Sequence, residues 1–160
     1  MILPDNGKVV IIDDDISAVK ELMGALSAEK VPFVYYQKED CTDLPLVPLE
    51  NVRLIFLDLL LIDETKGQPV SKVIGPIAVR LRKILNRNNG PYVLIYWSNK
   101  EIEYKDAFEK LFADQLRDYN PLLILSIDKK YVGDLPAIKT ELEKVCVEKF
   151  GALNAFLFWE

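Results

Sequence analysis

The sequence predicts an α/β fold, a doubly wound parallel sheet with helices on both faces, from three observations. Two runs of consecutive apolar residues, 9–12 and 54–57, are typical of strands that are buried on both faces, as in parallel sheets. Five β-rich segments alternate with segments whose apolar residues recur at helical spacing. Half of the 160 residues are hydrophobic, which is enough apolar material for the core of one domain.

The predicted strands are bounded by turn-forming and polar residues. Asn-Asn-Gly-Pro at 88–91 precedes the fourth strand, and Asn120 and Pro121 precede the fifth. The five predicted strands span 8–13, 31–37, 53–61, 92–97 and 122–127.

The predicted helices are indicated by apolar residues three or four positions apart. Their apolar faces are Ile16, Val19, Leu22, Met23 and Leu26; Ile74, Ile77, Ala78, Leu81 and Ile84; Tyr104, Phe108, Leu111, Phe112 and Leu116; and Leu135, Ile138, Leu142 and Val145. Asp15 is well placed to cap the first helix, and Asp134 followed by Pro136 indicates the start of the last. The segment 38–51, with two prolines, is expected to be a loop or a poor helix, and 62–72 a long loop.

Composition excludes several classes of function. A net charge of −5 argues against direct binding to nucleic acid or to an anionic membrane. The absence of histidine excludes serine–histidine and cysteine–histidine catalysis, histidine-ligated zinc and a histidine phosphodonor. Neither a signal peptide nor an apolar stretch of membrane-spanning length is visible, so a cytoplasmic location is expected. Cys41 and Cys146 lack metal-ligand spacing and are expected to be ordinary buried thiols.

Carboxylates follow two of the buried strands. Asp13, Asp14 and Asp15 follow the first strand, and Asp58 lies near the end of the third. In the flavodoxin-like strand order 2-1-3-4-5 these strands are neighbours, so Asp13, Asp14 and Asp58 should converge at one edge of the sheet. Three close carboxylates repel one another unless a cation neutralises them, and oxygen ligands suit Mg²⁺. An aspartate beside such a cation can accept a phosphoryl group.

With these residues the chain resembles the receiver domain of two-component response regulators, over roughly residues 8–150. Asp13 and Asp14 match the acidic pair after the first strand of that family, and Asp58 matches its phosphoacceptor aspartate. The resemblance implies that these carboxylates bind Mg²⁺, with the backbone carbonyl of Leu60 as a further ligand.

The resemblance also implies two residues that contact the phosphoryl group. Ser98 is the candidate for the family's serine or threonine at the end of strand four, and Lys129, with Lys130 as the fallback, for its lysine after strand five. The implied partner is a sensor histidine kinase or a phosphotransfer protein, with a fused effector domain or a second copy of the chain as further partners. Such a domain is not an enzyme beyond catalysing its own phosphotransfer and dephosphorylation.

The chain departs from the family pattern at several places. The loop 61–75 is longer than usual, and Lys129 is followed by Lys130 where the family usually has proline. The helix between strands two and three is poorly formed, and the helix predicted at 101–119 is long. The resemblance is therefore to a divergent receiver. A pseudo-receiver that acts as a phosphate-independent interaction or dimerisation module remains the alternative.

Simpler interpretations of the same residues remain open. Asp13, Asp14 and Asp15 could serve only to cap a helix, and strand ends such as Ser98 and Lys129 are often polar. Trp97 could line the pocket or simply pack beneath the helix predicted at 101–119. Other families fit less well, because no glycine-rich phosphate loop follows the first strand. A haloacid-dehalogenase-type phosphatase would need an aspartate at position 60, where the chain has leucine.

The chain ends in an apolar tail. Residues 1–150 are expected to form the receiver-like domain, and 151–160 a helical extension or the start of a connector to another domain. Phe156 to Trp159 form an apolar run, and exposed apolar clusters mark interfaces. The last helix is therefore expected to continue past Gly151 as a dimer contact or connector. The competing interpretation is that the tail folds back onto the core of this domain.

Overall fold

The structure, a computed structural model, describes residues 7–37, 42–59, 70–98 and 104–151, without the side chains of 70–74 and 98. Its elements are β1 (Lys8–Ile12), α1 (Ile16–Ala28), β2 (Phe33–Tyr36), β3 (Val52–Asp58), α2 (Val70–Ile84), β4 (Val93–Ser98), α3 (Lys105–Gln115), β5 (Leu123–Asp128) and α4 (Leu135–Phe150). Short 3₁₀ helices at Arg117–Tyr119 and Lys129–Tyr131 flank β5. Among the described helices, none combines the length and apolarity needed to cross a bilayer.

The strands form one parallel sheet in the order β2-β1-β3-β4-β5, which confirms the predicted fold and strand order. The register of the sheet aligns the carboxyl ends of its strands. Asp58 of β3 lies opposite Trp97 of β4, and Ser98 of β4 lies opposite Asp128 of β5. Parallel strands that end level create one edge at which the residues following each strand meet.

Apolar side chains fill both faces of the sheet. In β3, Ile55 and Leu57 belong to the layer shared with α2 and α3, whereas Leu54 and Phe56 belong to the layer shared with α1 and α4. All four are fully buried. Side chains alternate between the two faces of a strand, so a strand covered on both sides must be apolar at consecutive positions. This explains the unbroken apolar run before Asp58.

The predicted helix starts at two aspartates are confirmed. The Asp15 carboxylate accepts a hydrogen bond from the Ser17 backbone N–H at 2.9 Å, capping α1. Asp134 caps α4 in the same way, accepting from the Ala137 N–H at 2.9 Å. These side chains satisfy backbone donors that have no partner inside the first turn of a helix.

Several boundaries differ from the sequence prediction. β3 ends at Asp58, before the predicted end at residue 61, and residues 60–69 lie outside the described part. α2 begins at Val70, within the segment expected to be a loop, and contains Pro76. The segment 38–51, expected to be a loop or a poor helix, is a loop over its described part, residues 42–51.

The third helix also ends earlier than expected, and the described part of the fourth helix ends at a glycine. α3 ends at Gln115, and the 3₁₀ turn that follows it replaces the last turn of the predicted long helix, whose first residues, 101–103, lie outside the description. α4 ends at Phe150, where Gly151 has φ 79° and donates its N–H to Val147 O at 2.8 Å. A positive φ suits glycine and stops a helix. The described part of α4 therefore ends before Gly151, and the helical extension expected over 152–160 lies outside the described residues, so it stays a prediction.

Cys146 is buried in the layer between the sheet and α4, as expected of an ordinary thiol. Burial raises the pKa of this thiol, which favours its neutral form. The other cysteine, Cys41, lies outside the described residues.

Candidate functional site

Asp13 follows β1 directly and is fully buried. Its backbone is tied to β2, because its N–H donates to Tyr36 O at 3.2 Å and its carbonyl accepts from the Tyr35 hydroxyl at 2.8 Å. Its carboxylate accepts a hydrogen bond from the Asp15 N–H at 2.8 Å through Oδ1. Asp13 is therefore a fixed, buried carboxylate, whereas the neighbouring Asp14 is partly exposed. Asp15 caps α1, so helix capping does not explain why an aspartate occupies position 13.

Asp58 ends β3 and is 1% exposed. Lys129 Nζ donates a hydrogen bond to Asp58 Oδ2 at 2.8 Å and lies 4.0 Å from Asp13 Oδ2. The 3₁₀ turn after β5 brings Lys129 to this position. Lys130, the fallback candidate, instead pairs with the exposed Asp128 at 3.1 Å. Of the two lysines, Lys129 is thus the one that contacts the acidic residues.

Asp13, Asp14 and Asp58 form an acidic cluster. Each offers a carboxylate oxygen, and these oxygens all lie within 4.8 Å of one another. Oxygen donors gathered in this way suit a small, hard cation such as Mg²⁺. Lys129 neutralises one of the three negative charges, so a divalent cation would compensate the remainder. The donor set fits the predicted Mg²⁺ ligands, while binding itself stays a prediction.

Trp97 is a further residue that contacts this cluster. Its indole Nε1–H donates to Asp13 Oδ2 at 3.1 Å. The same side chain is fully buried and packs against Phe56, with ring centroids 5.8 Å apart. From the sequence, Trp97 was expected either to line the pocket or to pack beneath the helix predicted at 101–119. It contacts the acidic cluster, but the second role is wrong, because α3 covers the other face of the sheet and Trp97 belongs to the layer shared with α1 and α4.

The position of Trp97 could have been anticipated from strand alternation. Each of the site residues Asp13, Asp58 and Trp97 lies two positions after a residue that faces the layer between the sheet and α1 and α4. Asp13 follows Ile11, Asp58 follows Phe56, and Trp97 follows Ile95. Side chains two residues apart along a strand share a face. Tyr35, whose hydroxyl donates to the Asp13 carbonyl, is not identifiable as a site residue from the sequence, because the sequence does not reveal how far its hydroxyl reaches.

Burial and charge shift the protonation equilibria at the site. Burial, followed by the charge of Asp58, raises the pKa of Asp13 from 3.8 to about 6. Burial alone would lower the pKa of Lys129, but its hydrogen bond and ion pair with Asp58, together with the charges of Asp13 and Asp14, raise it overall. Lys129 therefore stays charged at neutral pH, and the cluster retains unfavourable charge that a cation would relieve.

The hydroxyl of Tyr35 stays protonated at neutral pH. Burial, followed by the negative charge of Asp13, raises its pKa to about 12. It can therefore act as a donor to the Asp13 carbonyl over the whole physiological range.

Two predicted site residues are incompletely described. Ser98 ends β4 at the same edge of the sheet as Asp58, but its side chain lies outside the description. Leu60, the predicted carbonyl ligand, lies outside the described residues. The last described residue before it, Leu59, donates its N–H to Trp97 O at 3.2 Å. The hydrogen bonding between β3 and β4 therefore continues one residue past the end of β3.

Comparison with known proteins gives structural similarities only. No protein-family model and no curated protein matches the sequence. Among solved structures, the chain is similar to an adenylate cyclase from Rhodopirellula baltica, at 16% identity over 87% of this chain and 98% of that one, with a TM-score of 0.45. It is also similar to a response regulator receiver domain protein from Clostridium thermocellum, at 7% identity over 88% and 98% of the two chains, with a TM-score of 0.39.

A third solved structure is a signal receiver domain from Vibrio parahaemolyticus, at 12% identity over 91% of this chain and 98% of that one, with a TM-score of 0.37. These similarities concern the fold, and no activity, ligand or partner is transferred from them. Two of the three structures are described as receiver domains.

Proposed function

We propose that the chain is a divergent receiver domain of a two-component signalling system, in which Asp58 accepts a phosphoryl group. One observation carries the proposal. Asp58 is a buried carboxylate at a sheet edge that faces two further carboxylates and the ammonium group of Lys129, at 2.8 Å. A merely structural carboxylate at a strand end would be satisfied by one partner and would gain nothing from two repelling neighbours.

In the proposed reaction, a carboxylate oxygen of Asp58 attacks the phosphorus atom of a partner's phosphohistidine. A phosphorus–oxygen bond forms as the phosphorus–nitrogen bond breaks, and the imidazole nitrogen leaves with the bonding electrons and takes up a proton. The product is an aspartyl phosphate. Mg²⁺, when bound, supplies positive charge to the transferring phosphoryl oxygens.

The residues of the chain have separate roles in this reaction. Asp13 and Asp14, with the carbonyl of Leu60, would hold the cation beside Asp58. Lys129, whose ammonium group contacts Asp58, would shift part of its hydrogen bonding to a phosphoryl oxygen. Ser98 would contact another phosphoryl oxygen from the end of β4. Movement of Lys129 and Ser98 would then alter the surface formed by the elements that carry them.

The proposal implies particular partners and no independent enzymatic turnover. The phosphodonor would be a sensor histidine kinase or a phosphotransfer protein, and the output would pass to an effector domain or a second copy of the chain. Catalysis would be confined to the domain's own phosphorylation and dephosphorylation. The proposal keeps the cytoplasmic location expected from the sequence.

A pseudo-receiver is the second candidate, and the hydrogen bonding of the cluster favours it. Lys129 binds Asp58, and Trp97 and the Asp15 N–H bind the two oxygens of Asp13. These contacts partly compensate the carboxylates without any cation. Such a chain would act only through its surface.

Beryllofluoride, a phosphoryl mimic, separates the two candidates. With Mg²⁺, the proposed receiver should bind beryllofluoride at Asp58, giving a protein-bound ¹⁹F signal that is lost in Asp58→Asn. The matched control is Asp128→Asn, because Asp128 lies at the same sheet edge but is exposed. A wild-type chain with no bound ¹⁹F signal at saturating Mg²⁺ would favour the pseudo-receiver.

A further inference from the structure

Trp97 contacts the acidic cluster but has no part in the chemistry proposed above. Its side chain is fully buried, and its Nε1–H donates to Asp13 Oδ2 at 3.1 Å. Asp13 is itself fully buried. The hydrogen bond therefore joins two side chains that water does not reach, where an unmade bond is costly for both groups.

The path of the indole ring is set by the sheet. Trp97 lies opposite Asp58 in the register of β3 and β4, while Asp13 follows β1 on the other side of β3. The ring must therefore pass from β4 across β3 to reach Asp13. Phe56, two residues before Asp58, packs against the ring and supports it from β3.

The Asp13 carboxylate is held by donors on both oxygens. The Asp15 N–H binds Oδ1 at 2.8 Å, and the indole of Trp97 binds Oδ2 at 3.1 Å. A buried indole N–H needs an acceptor, and a backbone carbonyl would have served. Here the acceptor is instead a carboxylate of the cluster, so the bond also fixes the orientation of a candidate metal ligand.

We propose that Trp97 is a positioning residue of the acidic site, holding Asp13 in the orientation in which it shares a cation with Asp14 and Asp58. The proposal rests on the proposed function, because it assigns Trp97 to the same Mg²⁺ site. Donors to a metal-ligating side chain fix its orientation, and their removal costs about 10- to 100-fold in metal affinity. Trp97 thus acts through Asp13 and touches neither the cation nor the phosphoryl group.

Trp97→Phe tests this role, because phenylalanine keeps a buried ring and lacks the indole donor. The probe is Mg²⁺ alone, titrated calorimetrically at a temperature where each variant is folded. Trp97→Phe should weaken Mg²⁺ binding by about 10-fold or more. Phe56→Leu is the matched control, since it disturbs the same packing and leaves the hydrogen bond in place. It should bind Mg²⁺ as the wild type does.

The outcomes separate this proposal from the proposed function. Equal Mg²⁺ affinity in Trp97→Phe and the wild type, or equal weakening in Trp97→Phe and Phe56→Leu, would overturn the positioning role alone. A wild-type chain that binds no Mg²⁺ would overturn both the proposed function and the positioning role.

A second measurement decides the matter even when Trp97→Phe does not fold. The chain has two tryptophans, so Trp159→Phe leaves a single indole N–H resonance, that of Trp97. Because its acceptor is a proposed metal ligand, this resonance should shift in step with Mg²⁺ saturation. A resonance that stays fixed while Mg²⁺ binds would overturn the proposal.

Discussion

Lys129 Nζ lies 2.8 Å from Asp58 Oδ2 and 4.0 Å from Asp13 Oδ2, so a single ammonium group faces two buried carboxylates. Lys129 follows β5 and Asp58 ends β3, with β4 between them in the sheet. The ion pair thus connects strands that are not neighbours. Without a cation, Lys129 supplies positive charge next to both carboxylate groups.

Lys129→Gln should destabilise the metal-free protein by roughly 3 kcal/mol at pH 7, because Asp58 would lose its charged partner while remaining buried. This estimate lies at the low end for a buried pair, since Lys129 is partly exposed to solvent. Urea unfolding in the presence of a chelator measures the change. Lys130→Gln is the control, because its exposed ion pair with Asp128 should contribute no more than about 1 kcal/mol. Similar losses in both variants would contradict the role of Lys129.

Saturating Mg²⁺ should raise the melting temperature of the wild type, because a ligand that binds only the native state stabilises it. Asp14→Ala should abolish the rise by removing one of the three clustered carboxylates. Asp15→Asn is the matched control, since it removes the adjacent charge while asparagine still caps α1. An Mg²⁺ effect that survives in Asp14→Ala would place the cation elsewhere.

The metal-free stability should depend on pH through Asp13. Because the pKa of Asp13 is about 6 in the folded chain and 3.8 ordinarily, its stabilising contribution is full below pH 4 and is lost as pH rises through 6. The difference between these values corresponds to about 3 kcal/mol. Asp13→Asn lacks this titration, so it should gain stability relative to the wild type between pH 4 and pH 7.

A variant with the opposite slope provides the control for this pH series. Hydrogen bonds from the Ser17 side chain and backbone lower the pKa of Asp15, so the contribution of Asp15 is lost as pH falls through its folded value. Asp15→Asn should therefore lose stability relative to the wild type only as pH rises towards 4, and the difference should stay constant between pH 4 and pH 7. If the stabilities of Asp13→Asn and Asp15→Asn change in parallel with pH in the presence of chelator, burial and charge do not raise the pKa of Asp13.

The tail 152–160 is predicted to act as an interface, because its run of Phe156 to Trp159 is too apolar to trail in water. Removing these residues should leave the domain folded and turn a dimeric chain monomeric in analytical sedimentation. Loss of the folded state on trimming would instead favour the tail as part of this domain's core. A full chain that is already monomeric at high concentration would exclude the dimer.

The sheet and the convergence of its acidic residues could be predicted from the sequence. Consecutive apolar positions before Asp13 and Asp58 require strands covered on both faces, and strand order then makes the two aspartates neighbours. Asp15 and Asp134 were recognisable as caps because capping depends on local backbone geometry. Of the two candidate lysines, Lys129 contacts Asp58 and Lys130 pairs with Asp128, while the phosphoryl contact expected of Lys129 stays a prediction. The 3₁₀ turn that separates the two side chains has no signal in the sequence.

Other features depend on tertiary contacts that the sequence does not encode locally. The reach of Trp97 across β3 depends on its rotamer and on support from Phe56. The start of α2 was predicted too late, because the polar segment before residue 73 carries little helical periodicity. The helical extension expected over 152–160 from apolar spacing lies outside the described residues, and the described part of α4 ends where Gly151 has a positive φ. A positive φ of this kind depends on local backbone geometry, which apolar spacing does not encode.

Phosphorylation by acetyl phosphate with Mg²⁺ tests the central claim most directly. Intact-protein mass spectrometry should show the addition of one phosphoryl group that is labile, as acyl phosphates are, and absent in Asp58→Asn. Asp128→Asn should be modified like the wild type, because Asp128 lies outside the acidic cluster. The account would be contradicted if the wild-type chain stays unmodified under conditions that fully label an ordinary receiver. It would also be contradicted if Asp58→Asn is labelled as much as the wild type.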